Sequence, residues 1–209
     1  MKSITALRIG RGRGKRVNIF LDGKFAFSLE AAAVAKEGLQ VAQALSDEQI
    51  EALVRSDRFS HCLNTASRYL RYRLRSESEL RERLGQRGFD ADTLEAVISR
   101  LKELGLVDDI AFAEFWKDER ELSPRSRQLI GLELRRRGIA NDIIEQVVNT
   151  TDDDDSAYRA ALSKARRLPR SDEPGFRRRL SEFLRRRGFS LTVIYHTVER
   201  VWQDQTGSR

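Results

Sequence analysis

The last two-thirds of the sequence repeats itself at an interval of 50 residues. When the chain is shifted against itself by 50 positions, three segments align without gaps. The aligned sets are Leu80, Ile130 and Leu180; Leu84, Leu134 and Leu184; Arg87, Arg137 and Arg187; Gly88, Gly138 and Gly188; Phe89, Ile139 and Phe189; Leu94, Ile144 and Ile194; and Ile98, Val148 and Val198. Chance could supply one such match, but seven in register indicate tandem structural units.

Each aligned segment has the pattern of a helical hairpin. Apolar residues four apart predict a first helix, and the glycine predicts its end because that position favours the left-handed conformation. A second apolar-periodic run follows each glycine. Since one hairpin cannot bury the apolar residues of both helices, the units must stack on one another or each add a further helix. The runs 59–75, 108–121 and 156–168 can supply one helix for each unit, so we predict three three-helix units.

The first 57 residues have a different period. Alternating apolar residues over 3–29 predict β-strands, and Asp22-Gly23 predicts a two-residue type I′ hairpin turn. Residues 28–36 predict a short alanine-rich helix. Ser46-Asp47-Glu48-Gln49 is a capping box that predicts a helix ending near Arg55.

The sequence therefore predicts a mainly α protein: three tandem three-helix repeats preceded by a small β-rich N-terminal domain. The expected domain boundaries are 1–57 for the β-hairpin domain, 58–107 for the first repeat, 108–152 for the second and 153–209 for the third.

The net charge of +7 is unevenly distributed along the 209 residues. Residues 1–60 contain 10 basic and 7 acidic side chains, 61–150 contain 16 of each, and 151–209 contain 13 and 9. The densest stretch, 166–187, has nine arginines against three acidic residues, an excess of +6 over 22 positions. Such an excess is typical of a surface that binds a polyanion. A merely solvated face, with some arginines complementing a helix dipole, is the alternative.

The candidate contacts to DNA phosphates or to an acidic partner are the arginines of the second and third repeats. They are Arg135, Arg136, Arg137, Arg166, Arg167, Arg170, Arg177, Arg178, Arg179, Arg185, Arg186 and Arg187. The tip of the first hairpin supplies a second, smaller set, namely Arg11, Arg13, Lys15 and Arg16.

The sequence gives little indication of a phosphate loop, a metal site or a catalytic site. The glycine-rich run Gly10–Arg16 lacks the spacing and the hydroxyl residue of a phosphate loop. Asp152–Asp155 and Asp108-Asp109 are typical of helix N-termini rather than of metal or acid sites. Cys62 is the single cysteine, which excludes an internal disulfide and indicates a reducing compartment. We expect the neighbouring His61 to pack at a domain junction rather than to form a catalytic pair with Cys62. With no nucleophile and base in a recognisable arrangement, we expect a binding protein, not an enzyme, without cofactor or metal.

The first repeat contains a recognisable family signature. It consists of Leu74-Arg75-Ser76-Glu77-Ser78-Glu79-Leu80 with Leu84, Arg87-Gly88-Phe89, Leu101, Gly105-Leu106-Val107-Asp108-Asp109 and Phe112-Ala113. This signature resembles that of the RecX regulators of the RecA recombinase. Residues 133–139 are similar to the family's second repeat, and the hairpin over 16–28 is similar to the N-terminal extension of its longer members.

The resemblance implies a fold and a function. It implies three tandem three-helix units in an elongated, curved body that binds the groove of the RecA–DNA filament. It further implies that the protein limits filament extension, ATP hydrolysis, strand exchange and coprotease activity in recombination, DNA repair and the SOS response. The expected partners are the RecA nucleoprotein filament and, through phosphates, single- and double-stranded DNA.

We expect a cytoplasmic monomer without membrane contact. The alternative is a sequence-tolerant DNA-binding protein that works without RecA, although an aromatic content of 8% is low for the stacking surfaces of such proteins.

Overall fold

The computed structural model describes residues 1–10, 16–169 and 171–206. The chain divides into two compact units. The first contains Met1–Arg73 and Leu80–Leu106, and the second contains Leu74–Glu79 and Val107–Arg209. The short segment Leu74–Glu79 therefore belongs to the second unit, although the residues before and after it belong to the first.

The N-terminal part of the first unit is a four-stranded antiparallel sheet of order β3-β2-β1-β4. The predicted hairpin turn is confirmed: Leu21 pairs with Lys24, and both Asp22 (φ 49°) and Gly23 (φ 82°) have the positive φ of a type I′ turn. The strands are β1 (Lys2–Ile9), β2 (Arg16–Leu21), β3 (Lys24–Glu30) and β4 (Ala44–Leu45).

One face of this sheet forms a small core under two helices, α1 (Ala31–Lys36) and α2 (Asp47–Leu70). The prediction that a helix begins near Ser28 was wrong, because Ser28 pairs with Asn18 in the sheet and the helix begins three residues later. The buried residues of this core are Ile4, Ile19, Leu21, Leu29, Leu39 and Leu45.

Helix α2 is much longer than predicted. Its start is as expected, with a complete capping box between Ser46 and Gln49, but it continues past Arg55 to Leu70. The local sequence does not predict this continuation because a polar residue, Asp57, occupies a buried position of α2. Its buried carboxylate accepts hydrogen bonds from the Glu30 amide (2.7 Å) and from Arg16 (2.8 Å), so a polar residue is satisfied on the helix face that packs against the sheet. The helix runs continuously through the expected boundary at residue 57.

Within the residues that the structure describes, eight further helices follow, and they confirm the mainly α class with three three-helix repeats. The first repeat uses the C-terminal part of α2 with α3 (Glu77–Gly85) and α4 (Ala91–Glu103). The second has α5 (Asp109–Glu119), α6 (Arg127–Arg135) and α7 (Asn141–Val148), and the third has α8 (Asp153–Ala165), α9 (Glu173–Arg186) and α10 (Leu191–Thr206).

The aligned apolar positions form the cores of the repeats. In the second repeat, α6 and α7 bury Ile130, Leu134 and Ile144 against Phe112 of α5. In the third, α9 and α10 bury Leu180, Leu184, Ile194 and Val198 against alanines of α8. The small side chains of Ala157, Ala160, Ala161 and Ala165 allow α8 to pack closely against both partners.

The three repeated glycines adopt the predicted left-handed conformation, with φ of 86° at Gly88, 77° at Gly138 and 85° at Gly188. Two of them also contact another helix of the second unit. A Cβ at Gly188 would lie 2.6 Å from Ser126 Oγ and 2.8 Å from Leu129 Cβ, and one at Gly138 would overlap Ser78. A Cβ at Gly88 would meet nothing within 4 Å.

The same turns are hydrogen-bonded to serines at helix N-termini. Ser76 Oγ accepts from the Glu79 amide (3.1 Å) and donates to the carbonyl oxygen of Arg137 (2.7 Å). Fifty residues later, the Ser126 amide donates to the carbonyl oxygen of Arg187 (3.0 Å), while Ser126 Oγ accepts from the Leu129 amide. The carbonyl oxygen before Gly138 and that before Gly188 thus each find a donor at the start of a helix in the preceding repeat.

Alanine substitutions separate the two roles of these glycines. We expect Gly88→Ala to cost about 1 kcal/mol through backbone conformation alone. Gly188→Ala should cost about 3 kcal/mol, because the methyl group also displaces Ser126 and Leu129. Urea unfolding followed by circular dichroism measures both losses in the free energy of unfolding. Each loss is taken from the unfolding transition of the unit that contains the glycine. Equal losses would contradict a packing role for Gly188.

Candidate nucleic-acid interface

Helix α9 is amphipathic, and its outer face is basic. Asp172 caps its N-terminus by accepting from the Gly175 amide (2.9 Å), and Phe176, Leu180 and Leu184 are fully buried. At 100° per residue, the side opposite this apolar stripe carries four arginines within an arc of about 120°. These exposed residues are Arg178, Arg179, Arg185 and Arg186.

These four guanidinium groups have no carboxylate partner within the described residues. One acidic side chain, Glu182, lies in the same arc, so four arginines and one glutamate leave a local charge of +3. A planar guanidinium that breaks no internal ion pair on binding is well suited to phosphate or carboxylate. The outer face of α9 is therefore the strongest candidate site in the second unit, and we call these four residues the α9 arginine face.

Two neighbouring arginines that the sequence analysis grouped with them are engaged inside the protein. Arg177 binds Glu173 (2.8 Å) and Glu199 (2.6 Å), and these hydrogen bonds raise the pKa of Arg177 and lower that of Glu199. Arg187 donates to the Pro124 carbonyl oxygen (2.8 Å) and to Ser123 Oγ (3.0 Å), and burial lowers its pKa. The side chains of Arg177 and Arg187 therefore stabilise the fold through internal contacts.

The arginine trio of the second repeat divides in the same way. Arg137 is stacked on Trp116, with its guanidinium carbon 3.5 Å from the ring centroid, and it donates to the Glu133 carbonyl oxygen (2.9 Å). Arg135 donates to Asn141 (3.1 Å), and Arg136 is exposed. The second repeat thus contributes fewer available cations than its sequence suggests.

The remaining predicted contacts are scattered. Arg166 and Arg167 are exposed at the C-terminal end of α8. Arg16 is not at a hairpin tip: it lies in β2, where its guanidinium binds Ser28 and Asp57. The other predicted positions, Arg11, Arg13, Lys15 and Arg170, lie outside the described residues.

The 50-residue alignment shows that the basic face is particular to the third repeat. In the second repeat the positions of Arg178, Arg179, Arg185 and Arg186 are held by Gln128, Leu129, Arg135 and Arg136. In the first repeat they are Ser78, Glu79, Gly85 and Gln86. The same helix position therefore carries a different charge in each of the three repeats.

A buried charge cluster in the second repeat was missed by the sequence analysis. Glu133, 8% exposed, accepts hydrogen bonds from Trp116 Nε1 (2.8 Å), Arg120 Nε (2.8 Å) and Arg125 Nη1. Burial lowers the pKa of Arg120 and, together with the charges of Arg120 and Arg187, that of Arg125. The available signal was an acidic residue on the apolar stripe of α6, directly before Leu134.

Several other residues singled out in the sequence cap helices or pack in the interior. Asp108 and Asp152 cap α5 and α8, as expected for helix N-termini. Cys62 is fully buried, which raises the pKa of its thiol to about 11, and the neighbouring His61 ring packs edge-on against Phe89 at 5.3 Å. Across 1–10, 16–169 and 171–206, no helix has the length and apolar character needed to cross a bilayer.

The fold and this surface define a tandem helical-repeat protein with a β-rich N-terminal part and a basic face on α9. Three family models match the chain: the regulatory protein RecX N-terminal domain over residues 2–46, the first RecX three-helix domain over 62–101 and the third over 152–198. Regulatory protein RecX of Clostridium perfringens (strain 13 / Type A) is 30% identical over 210 residues, covering 98% of this chain and 99% of the relative. The chain belongs to the RecX family of regulatory proteins.

Other relatives agree. Regulatory protein RecX of Bacillus pumilus (strain SAFR-032) is 27% identical over 209 residues and covers 98% of this chain. A crystal structure of regulatory protein RecX has a TM-score of 0.66 and 24% identity, covering 96% of this chain and all of the other. The structure of RecX from Lactobacillus salivarius has a TM-score of 0.61, also at 24% identity, over 71% of this chain and 98% of that one. These two structures show that the fold is shared.

The charge cluster of the second repeat can be tested by neutralising its acid. Glu133→Gln leaves two partly buried arginines without a counter-charge, so we expect a loss of about 2–3 kcal/mol in the free energy of unfolding. Urea unfolding measures it, with Glu114→Gln as the control, since Glu114 is exposed and has no ion pair in the described part of the chain. Similar stabilities for the two variants would contradict a structural role for Glu133.

Proposed function

We propose that this protein modulates the RecA recombinase, mainly as an inhibitor, by binding the RecA–DNA filament and limiting its extension. Reduced ATP hydrolysis, strand exchange and coprotease activity would follow, because each depends on the extended filament. Membership of the RecX family supports the regulatory role, and the proposal extends it to this partner. The observation that carries the proposal is the α9 arginine face.

The α9 arginine face fits the regular anionic surface of a nucleoprotein filament. Arg178 and Arg185 are seven residues apart, which separates them by about 10 Å along the helix axis, and Arg179 and Arg186 repeat that spacing. Helix α9 is held by the apolar core of the third repeat and by the Arg177 ion pairs, so these cations are carried by an ordered element. Because the helix that carries the cations is already ordered, binding fixes only their side chains and not the backbone.

The same face also supports the alternative, a DNA-binding protein that acts without RecA. The two functions differ in stoichiometry. A filament regulator inhibits the RecA ATPase at amounts far below the number of DNA sites, whereas a competitor for DNA inhibits only when DNA is saturated. Titration of the DNA-dependent ATPase of RecA at a fixed excess of single-stranded DNA separates them.

Charge reversal on the α9 arginine face should weaken inhibition. We expect Arg178→Glu with Arg179→Glu to raise the concentration for half-inhibition of the RecA ATPase by at least about tenfold, because two attractive contacts become repulsive. The control is Lys24→Glu with Lys36→Glu, which makes the same change in net charge at exposed positions of the first unit. If both double variants lose inhibition equally, the loss is due to net charge, and the proposed site is contradicted.

The salt dependence of DNA binding distinguishes phosphate contacts from other contacts. Replacing Arg178 and Arg179 by alanine should reduce the slope of log affinity against log salt by up to about two, since each lost phosphate contact removes about one. The matched control is Lys24→Ala with Lys36→Ala, which removes the same number of charges at exposed positions of the first unit. An unchanged slope in the double variant would exclude phosphates as the ligand of this face.

A further inference from the structure

Helix α10 exposes an aromatic ring in the repeat that carries the α9 arginine face. The side chain of Tyr195 is 67% exposed and that of Leu191, one turn before it, 71%. The aligned positions of the first two repeats carry small or polar residues, namely Ala91 and Glu95 in the first and Asn141 and Glu145 in the second. An exposed apolar pair at this position is therefore not a requirement of the repeat fold.

The packing of α10 on α9 sets the level of this ring along α9. Arg177 binds Glu199 and its guanidinium lies 5.8 Å from the Trp202 ring centroid, so the two antiparallel helices are aligned at this level. Tyr195 precedes Glu199 by one turn on the same stripe of α10, and Ser181 follows Arg177 by one turn on α9. Tyr195 is thus level with Ser181.

Two members of the α9 arginine face lie on either side of that level. Arg178 precedes Ser181 by three residues and Arg185 follows it by four, which corresponds to about 5 Å along the axis in each direction. The Tyr195 hydroxyl makes no hydrogen bond to another described residue, and its ring meets His196 edge-on at 5.8 Å between centroids. Helix geometry therefore puts the exposed Tyr195 ring between the axial levels of Arg178 and Arg185, and neither arginine has a carboxylate partner among the described residues.

We propose that Arg178, Arg185 and Tyr195 together bind single-stranded DNA, with one unpaired base stacked on Tyr195 and the adjoining phosphates on the two arginines. The chemistry selects this ligand. An aromatic ring adds affinity where a base face is accessible, as in a single strand, whereas the bases of a duplex are already stacked on one another. An acidic protein surface would use the arginines but gain little from the ring.

This inference rests on the proposed function, because it names the ligand of the α9 arginine face. A single ring accommodates a single base. The low aromatic content of the chain is thus compatible with one stacking contact inside an otherwise electrostatic site, rather than with an extended stacking platform.

The test compares the affinities of the full chain for a 20-residue oligothymidine and for a 20-base-pair duplex, measured by fluorescence anisotropy. We expect Tyr195→Leu to weaken single-strand binding about tenfold and duplex binding less than twofold. Tyr195→Phe, which keeps the ring, should retain single-strand affinity within twofold. Because no charge is removed, the salt slope of Tyr195→Leu should equal that of the unmodified protein.

Tyr72→Leu is the matched control, since Tyr72 is 81% exposed and lies in the first unit. Circular dichroism of each variant verifies the fold. No loss in Tyr195→Leu, an equal loss for single strand and duplex, or an equal loss in Tyr72→Leu would overturn the proposal. The anisotropy experiment contains no RecA. A ring-dependent single-strand affinity without inhibition of the RecA ATPase would therefore overturn the proposed function and leave this inference standing.

Discussion

The second unit depends on one contact that occurs twice: a left-handed glycine turn packed against the first turn of another helix. At Gly138 and Gly188 the backbone approaches so closely that a methyl group would overlap Ser78 or Ser126. Around each glycine, a serine at a helix start is hydrogen-bonded to the carbonyl oxygen that precedes the glycine. Glycine is required there for its conformation and also for its lack of a side chain.

This contact determines what the repeated arginines do. The residue directly before each of these glycines gives its carbonyl oxygen to the serine, and its side chain turns into the protein. Arg137 is consequently stacked on Trp116, and Arg187 is bound to Ser123 and Pro124. The two preceding arginines of each trio lie on the outer side of the helix. Three consecutive residues of the same type thus divide into one structural and two surface residues, because they occupy different angles around the helix axis.

Charge is the property that distinguishes the three repeats from one another. Near the end of the same helix, the exposed residues change from Gly85 and Gln86 in the first repeat to Arg135 and Arg136 in the second and Arg185 and Arg186 in the third. Since these positions are exposed in all three repeats, they vary without cost to the cores beneath them. Function in such a protein is expected to reside in the surface of one repeat, while the shared fold provides the rigid support.

The sequence by itself determined the repeat, the helix ends at the three glycines, the type I′ hairpin and the location of the basic excess. All of these depend on local backbone preference or on periodic burial, which neighbouring residues encode. Only the tertiary structure decided how far α2 extends, where Asp57 is satisfied by Arg16 and Glu30. It also decided that Glu133 is buried among Trp116, Arg120 and Arg125, and which of the described arginines have no internal partner. Each of these outcomes depends on a partner well separated along the chain. A charged side chain is structural or available according to whether a distant carboxylate, carbonyl or aromatic ring reaches it, and local sequence does not contain that information.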